Sequence, residues 1–193
     1  MKQVKLSPLL FLLVFSYMLI EGSFRPLGVL GFSWLHELGH VAVIWLLGGR
    51  ITGFFGRGQG FGLSFGGLSY GGELLAALAG PAVSLLLGAT FTGLALWQNS
   101  RELAFCAFAN LALGALNLLP IVPLDGGRVL RALLLLYCTP DRARAVGNGV
   151  GICVLLPLLG VAFWQFLSSG YNLSLLFVCF YLIGLIGVNG YDV

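Results

Sequence analysis

Both histidines of this 193-residue chain belong to one short motif, His-Glu-Leu-Gly-His, which runs from His36 to His40. Residues four apart share a face of a helix, so the two imidazoles could bind one metal ion while Glu37 reaches a water molecule on it. The motif lies in the apolar stretch 27–47. Ionisable groups at that depth cost roughly +2.5 to 3.5 kcal/mol each if nothing compensates them. The pattern therefore predicts a zinc site within a membrane rather than a chance motif.

The composition supports the membrane setting. Hydrophobic residues make up 59% of the chain and charged residues only 9%, against about 25% charged in an average soluble domain. Because one crossing needs roughly 20 apolar residues, a chain of this length can supply about six spans and no sizeable soluble domain. The net charge of +3 says little about nucleic acid, and we expect none as a partner.

The apolar segments predict an all-α polytopic membrane protein of about six transmembrane helices. We expect a retained first span rather than a cleaved signal peptide, and a short helix at 128–138. The predicted spans are 6–20, 27–47, 74–97, one starting near 103, 145–167 and 172–188. No internal repeat or low-complexity linker interrupts them, so residues 1–193 are predicted to form a single domain with its core at about 27–138.

The segment 48–72 differs from the spans around it because glycines dominate it and Arg50 and Arg57 interrupt it. It is too glycine-rich for a membrane helix and too apolar for an aqueous loop, so we expect a re-entrant, β-like hairpin. Irregular backbone in a membrane is tolerated only against protein or a water-filled cavity, which places the segment beside the active site. The alternative is a flexible loop anchored by aromatic residues at the lipid headgroups.

A second group of residues that could do chemistry runs from Asn117 to Gly127. Pro120 and Pro123 remove backbone donors and interrupt regular helix, and the glycines that follow permit close backbone approach or a positive φ. Such a break exposes polar backbone in an apolar segment and needs a functional reason.

A catalytic zinc ion normally has three protein ligands, so the two histidines need a partner. Asp125 is the preferred third ligand because it is acidic and lies at the break. Glu73 is the rival, although its place at a predicted helix N-terminus gives it a structural explanation. For Asn117, a helix-packing amide and a role in holding substrate stay open.

These motifs, together with Ala-Gly-Pro at 79–81, resemble in order and spacing those of the site-2 protease family of intramembrane zinc metalloproteases. The resemblance covers residues 27 to about 136. It implies one zinc ion per chain bound by His36, His40 and Asp125. It also implies that Glu37 is the general base and that Asn117 lies near the scissile peptide.

The resemblance implies hydrolysis of peptide bonds within or near transmembrane segments of membrane-anchored substrates, as in regulated intramembrane proteolysis. The glycine-rich segment would be the family's re-entrant β-structure, able to present an edge strand to substrate. Two departures stand out. We expect no room for the PDZ or CBS domains of some relatives, and Ser84 occupies a position where many relatives have asparagine, which weakens the expectation of a polar contact there.

Two other functions are weighed against this one. A different membrane zinc enzyme, such as a prenyl-protein processing protease, fits the motif at 117–127 poorly. A channel or transporter could use the buried histidines and aspartate for metal passage, and its metal flux should survive loss of Glu37. Proteolysis predicts retained metal and lost cleavage instead. The expected partners are the lipid bilayer and a transmembrane protein substrate, and the oligomeric state stays open.

The basic residues predict the orientation of the chain. With six crossings and the N-terminus inside, only Arg25 and Arg101 lie outside. Eight lie in cytoplasmic segments: Lys2, Lys5, Arg50, Arg57, Arg128, Arg131, Arg142 and Arg144. Because Lys and Arg concentrate in cytoplasmic loops, we expect a multi-pass protein of the cell membrane with both termini in the cytoplasm.

Overall fold

The computed structural model describes residues 25–57, 60–122, 124–168 and 174–189. In this part of the chain six helices and one hairpin follow one another: α1 (Arg25–Leu46), β1 (Arg50–Arg57), β2 (Gly60–Gly66), α2 (Tyr70–Gln98), α3 (Arg101–Asn117), α4 (Asp125–Leu135), α5 (Pro140–Ser168) and α6 (Ser174–Asn189). The predicted first span at 6–20 lies outside the described residues. The chain divides into two compact units, an N-terminal unit (Met1–Ala115) and a C-terminal unit (Leu116–Val193).

Three of the described helices, α1, α2 and α5, are long and apolar enough to cross a membrane. Helix α3 has only 17 residues, and α6 contains a shorter apolar segment, Leu175–Gly184. Large apolar side chains lie exposed along these helices, among them Trp45, Leu96 and Trp164. Exposed apolar surface of this extent favours contact with lipid. The helical, membrane-protein character agrees with the sequence, whereas six crossings and a single domain stay predictions.

Helices α1 and α2 pack against each other in the N-terminal unit. They run in opposite directions, since His36 contacts Ser84 and His40 contacts Ala76. Gly39 allows the close approach: a Cβ there would lie 2.9 Å from Val83 Cγ2 and 3.0 Å from the Ala79 carbonyl oxygen. An apolar cluster around Ile44 and Ala76 closes one end of the pair.

The glycine-rich segment forms a two-stranded antiparallel hairpin, β1–β2. Its register runs from Arg50 opposite Gly66 to Arg57 opposite Gly60. Gly48, with φ of 72°, and Gly67, with φ of 85°, flank the hairpin and adopt backbone conformations that other residues rarely reach. The described part of the chain is thus helical with one hairpin, and the re-entrant placement of that hairpin stays a prediction.

In the C-terminal unit, α5 packs against α6 around Ala162, Leu176 and Cys179. A second apolar cluster joins Leu155 and Leu182 to Ile121, a fully buried residue of the turn before α4. The turn that precedes the predicted third ligand, Asp125, therefore packs against the helices that follow it.

Candidate metal centre

The two histidines of the motif lie one turn apart on α1, and each is only 3% exposed. Their Nε2 atoms are 3.3 Å apart, and their rings meet edge to face with centroids 5.0 Å apart. Two nitrogens bound to one tetrahedral zinc ion, each at about 2.0–2.1 Å from it, would be about 3.3–3.4 Å apart. His36 and His40 therefore already have the spacing that a shared zinc ion requires.

The second ring nitrogen of each histidine has its own partner on α2. His40 Nδ1 lies 2.7 Å from the carbonyl oxygen of Ala76. That oxygen can only accept, so Nδ1 of His40 carries a hydrogen and, in the neutral ring, Nε2 keeps its lone pair. His36 Nδ1 lies 2.9 Å from the hydroxyl oxygen of Ser84. Both imidazoles are thus held from the side opposite their facing nitrogens, an arrangement typical of metal-binding histidines.

Gly80 lies on α2 between these two contacts. A Cβ at this position would collide with Nε2 of His40 and lie 2.7 Å from Nε2 of His36. Ala76, Gly80 and Ser84 are spaced four residues apart, so they form one stripe along α2. Along this stripe, Ala76 provides a carbonyl oxygen, Gly80 leaves room for the two rings because it has no side chain, and Ser84 provides a hydroxyl.

The small residue Gly80 on α2 lets α1 approach closely. The sequence did not predict that the approaching groups are the two histidines. The weakened expectation of a polar contact at Ser84 was wrong, because the Ser84 hydroxyl is fully buried against His36. The four-residue spacing of the stripe is present in the sequence, but it becomes informative only once α2 is known to face α1.

Glu37 is partly buried on α1 beside His36. Neighbouring residues of a helix project about 100° apart, since a turn takes about 3.6 residues. The Glu37 carboxylate therefore leaves α1 from a different face than the two imidazoles. Its role as a base stays a prediction.

Asp125 is the first residue of α4 in the C-terminal unit and is 7% exposed. The helix begins three residues before the predicted short helix at 128–138, so the acid lies on the helix and not in the break. A carboxylate in the first turn is favoured by the helix dipole, and Arg128 Nη1 lies 3.8 Å from Asp125 Oδ1. His36, His40 and Asp125 are each buried, and each offers one atom that could bind a metal ion.

The chain before α4 passes very close to the first turn of that helix. A Cβ on Gly126 would collide with the carbonyl groups of Leu118 and Leu119, and one on Gly127 would lie 2.7 Å from the carbonyl carbon of Ile121. Of the two reasons considered for these glycines, close backbone approach is therefore the right one. Neither has the positive φ that was the alternative.

The remaining predicted residues lie at helix ends. Asn117 is the last residue of α3 and is partly buried. Glu73 is partly buried in the first turn of α2, where its backbone N–H donates to the carbonyl oxygen of Ser69 at 2.9 Å. The predicted place of Glu73 at a helix N-terminus is confirmed.

Several known proteins are similar to this chain. The family profile of peptidase family M50 matches residues 94–158. Rip3 from Mycobacterium tuberculosis is 33% identical over 160 residues, which covers 70% of this chain and 37% of Rip3. A zinc metalloprotease from Methanocaldococcus jannaschii is 35% identical over 105 residues, covering 52% of this chain and 31% of that protein. The chain thus spans about a third of the length of these relatives.

A solved structure shares the fold. The site-2 protease from Methanocaldococcus jannaschii superimposes with a TM-score of 0.71 at 24% sequence identity, covering 96% of this chain and 88% of that one. The family profile, the sequence relatives and the fold all agree with the motif-based prediction. This chain belongs to the site-2 protease family, peptidase family M50.

Proposed function

We propose that this protein is an intramembrane zinc metalloprotease that cleaves membrane-anchored proteins within or near their transmembrane segments. The observation that carries the proposal is the buried histidine pair, with its Nε2 atoms 3.3 Å apart and each Nδ1 bonded to α2. Two buried imidazoles on an apolar helix are costly and need a function. The relative from Methanocaldococcus jannaschii that is named a zinc metalloprotease supports this assignment, and family membership does not favour the metal-transport alternative.

His36 and His40 would bind zinc through Nε2, and we assign Asp125 as the third ligand. Asp125 is preferred to Glu73 because it is buried, at a helix start that packs closely against the preceding backbone, whereas Glu73 is only partly buried. Imidazole and carboxylate groups are ordinary zinc ligands. When bound, the zinc ion would supply Lewis acidity towards the scissile carbonyl and would lower the pKa of a water molecule to about 7.

We assign Glu37 as the general base. The motif supports this assignment, because Glu37 follows His36 directly on α1 and the two imidazoles, on their own face of the helix, would bind the metal. A carboxylate so placed accepts a proton from the attacking water and returns it to the leaving amine.

The hairpin would present the substrate to the site. A substrate helix hides its carbonyls in hydrogen bonds between residues four apart, so it must unwind before attack. Within the described residues β1 and β2 pair only with each other, so each strand has an edge that an extended peptide can join. We assign Asn117 a place near the scissile peptide.

The proposal is tested by Glu37→Gln, which removes the base without removing a ligand. Membrane proteomics of cells that carry the intact chain or the variant should show uncleaved, membrane-anchored precursors accumulating only with the variant. Purified variant protein should keep about one zinc ion per chain. Glu102→Gln, which neutralises an exposed carboxylate in the same unit, is the matched control and should accumulate no precursors. Normal cleavage by Glu37→Gln would contradict the mechanism.

We also propose that both termini lie in the cytoplasm, which places product release on that side. The test uses single cysteines in a variant whose four native cysteines are replaced. Ser100→Cys should react with a membrane-impermeant reagent applied from outside, and Thr139→Cys should react only after permeabilisation. The reverse labelling pattern would refute this orientation.

A further inference from the structure

The two histidines are held by chemically different partners. His40 Nδ1 bonds to the main-chain carbonyl of Ala76, an oxygen that no substitution at Ala76 removes. His36 Nδ1 bonds to a side chain, the hydroxyl of Ser84. Ser84 is 0% exposed in a helix that is long and apolar enough to cross a membrane. A buried hydroxyl is costly unless it is hydrogen-bonded, so this serine needs a partner as much as the histidine does.

The hydroxyl partner can adapt to the state of the ring. A carbonyl oxygen only accepts, whereas the Ser84 hydroxyl can either accept from Nδ1 of His36 or donate to it. When Nε2 of the neutral ring binds a metal, the hydrogen must be on Nδ1, so the serine then accepts. This hydrogen bond holds the ring plane, while metal binding at Nε2 would set the tautomer.

The hydrogen bond with Ser84 matters because the residue beside the other ring nitrogen of His36 is a glycine, which has no side chain to hold the ring. Gly80 lies against its Nε2, at the point where a Cβ would be 2.7 Å away. The torsion that rotates an imidazole ring has a broad energy profile, so the ring depends on contacts for its orientation. Ser84 supplies such a contact, a side-chain hydrogen bond to Nδ1 at 2.9 Å.

We propose that Ser84 is a positioning residue of the zinc site, which holds Nε2 of His36 towards Nε2 of His40 and thereby raises zinc affinity. The proposal rests on the proposed function, in which these two nitrogens bind zinc. Loss of a hydrogen-bond partner behind a metal-binding histidine typically lowers metal affinity about 10–100-fold. Nothing in the His-Glu-Leu-Gly-His motif itself indicates this dependence on α2.

The test is a zinc titration of purified full-length protein in competition with a chromophoric chelator. Ser84→Ala should weaken zinc binding about 10–100-fold, while Ser84→Thr, which restores a hydroxyl, should bind nearly as tightly as the original chain. Ser84→Cys, closest in size but a weak acceptor, should fall between them. Thr90→Ala is the matched control. It removes a hydroxyl from the same helix, but this hydroxyl is exposed and donates to the carbonyl oxygen of Leu86. It should leave zinc affinity unchanged.

Helix content and the thermal midpoint of the metal-free protein show whether each variant still folds. Zinc affinity of Ser84→Ala equal to that of the original chain would overturn the proposal. Equal weakening in Ser84→Ala, Ser84→Cys and Ser84→Thr would also overturn it, since the effect would then come from packing and not from the hydroxyl. An original chain that binds no zinc would contradict the proposed function instead, so the two failures are distinguishable.

Discussion

The α1–α2 helix pair and the start of α4, with the turn that precedes it, both present buried groups that can bind a metal, but they hold them by different means. In the helix pair, His36 and His40 are oriented by hydrogen bonds from their own side chains to α2. At the start of α4, Asp125 is followed by Gly126, where contacts with the main chain of the preceding turn leave no room for a Cβ. The comparison teaches that changes in the helix pair should alter metal binding first, whereas changes in the turn should alter local folding first.

Removal of the ligands should give the largest effects. We expect about one zinc ion per chain in the purified protein and almost none in His36→Ala or His40→Ala. Each variant keeps only two of the three protein ligands that a catalytic zinc ion normally has. Asp125→Ala should also lose zinc, while Glu73→Ala should keep it. Elemental analysis of the four variants measures this. Zinc retained in Asp125→Ala and lost in Glu73→Ala would reverse the choice of third ligand.

Two glycine substitutions should distinguish the α1–α2 helix pair from the start of α4, because one should affect zinc binding and the other stability. Gly80→Ala places a methyl group against Nε2 of both histidines, so it should abolish zinc binding while the metal-free protein, whose imidazoles can turn aside, stays folded. Gly126→Ala places its methyl group against backbone, and overpacking of this kind costs about 1–3 kcal/mol or more of unfolding free energy.

The controls for these substitutions are helical glycines with open space around them, one on the same helix as Gly80 and one in the same unit as Gly126. Gly93→Ala on α2 and Gly149→Ala on α5 meet no heavy atom within 4 Å, so both should keep zinc and stability. Zinc titration and denaturant unfolding are the two measurements. If Gly80→Ala and Gly126→Ala behaved alike in both, the distinction between the regions would fail.

The hairpin lies outside the proposed set of zinc ligands, so changes in it should affect cleavage and leave zinc content unchanged. Proline scanning from Gly60 to Tyr70 should find positions where cleavage falls although zinc content is unchanged, because proline removes a donor from the strand. Cleavage of a precursor identified by proteomics is the readout. Normal cleavage by every proline variant would mean that the segment is only a surface loop.

The exposed pair between Arg25 and Glu102 should matter least. Arg25 donates a hydrogen bond to Glu102 at 2.9 Å, and this bond, with the attraction of the opposite charge, holds the pKa of Glu102 below its usual value. A lowered pKa means that the pair stabilises the fold at neutral pH and stops doing so as the pH falls through the acid range.

Because both side chains of that pair are exposed, Glu102→Gln should change stability only slightly. Thermal unfolding at neutral and acid pH measures the difference, which should disappear in acid. A change in zinc affinity at neutral pH would mean that the N-terminal end of α1 is coupled to the histidine pair.

The sequence predicted the histidine pair because helical spacing is a local property, and only three residues separate His36 from His40. It could not predict that Ser84 and Gly80 face that pair, because the choice of neighbouring helix depends on tertiary packing. The turn was predicted from Pro120 and the glycines, but the start of α4 was placed three residues too late. Gly126 and Gly127 were assigned to the break, whereas close packing against the preceding backbone makes them the first turn of the helix.

The central claim is that the two histidines of α1 bind zinc together, and zinc K-edge X-ray absorption of the purified protein tests it most directly. The account predicts scattering from two imidazole rings, with nitrogen and oxygen ligands at about 2.0–2.2 Å. His36→Ala or His40→Ala should remove this signal with the metal. Zinc bound through sulfur at about 2.3 Å, from the chain's cysteines, or zinc without imidazole scattering, would contradict the account.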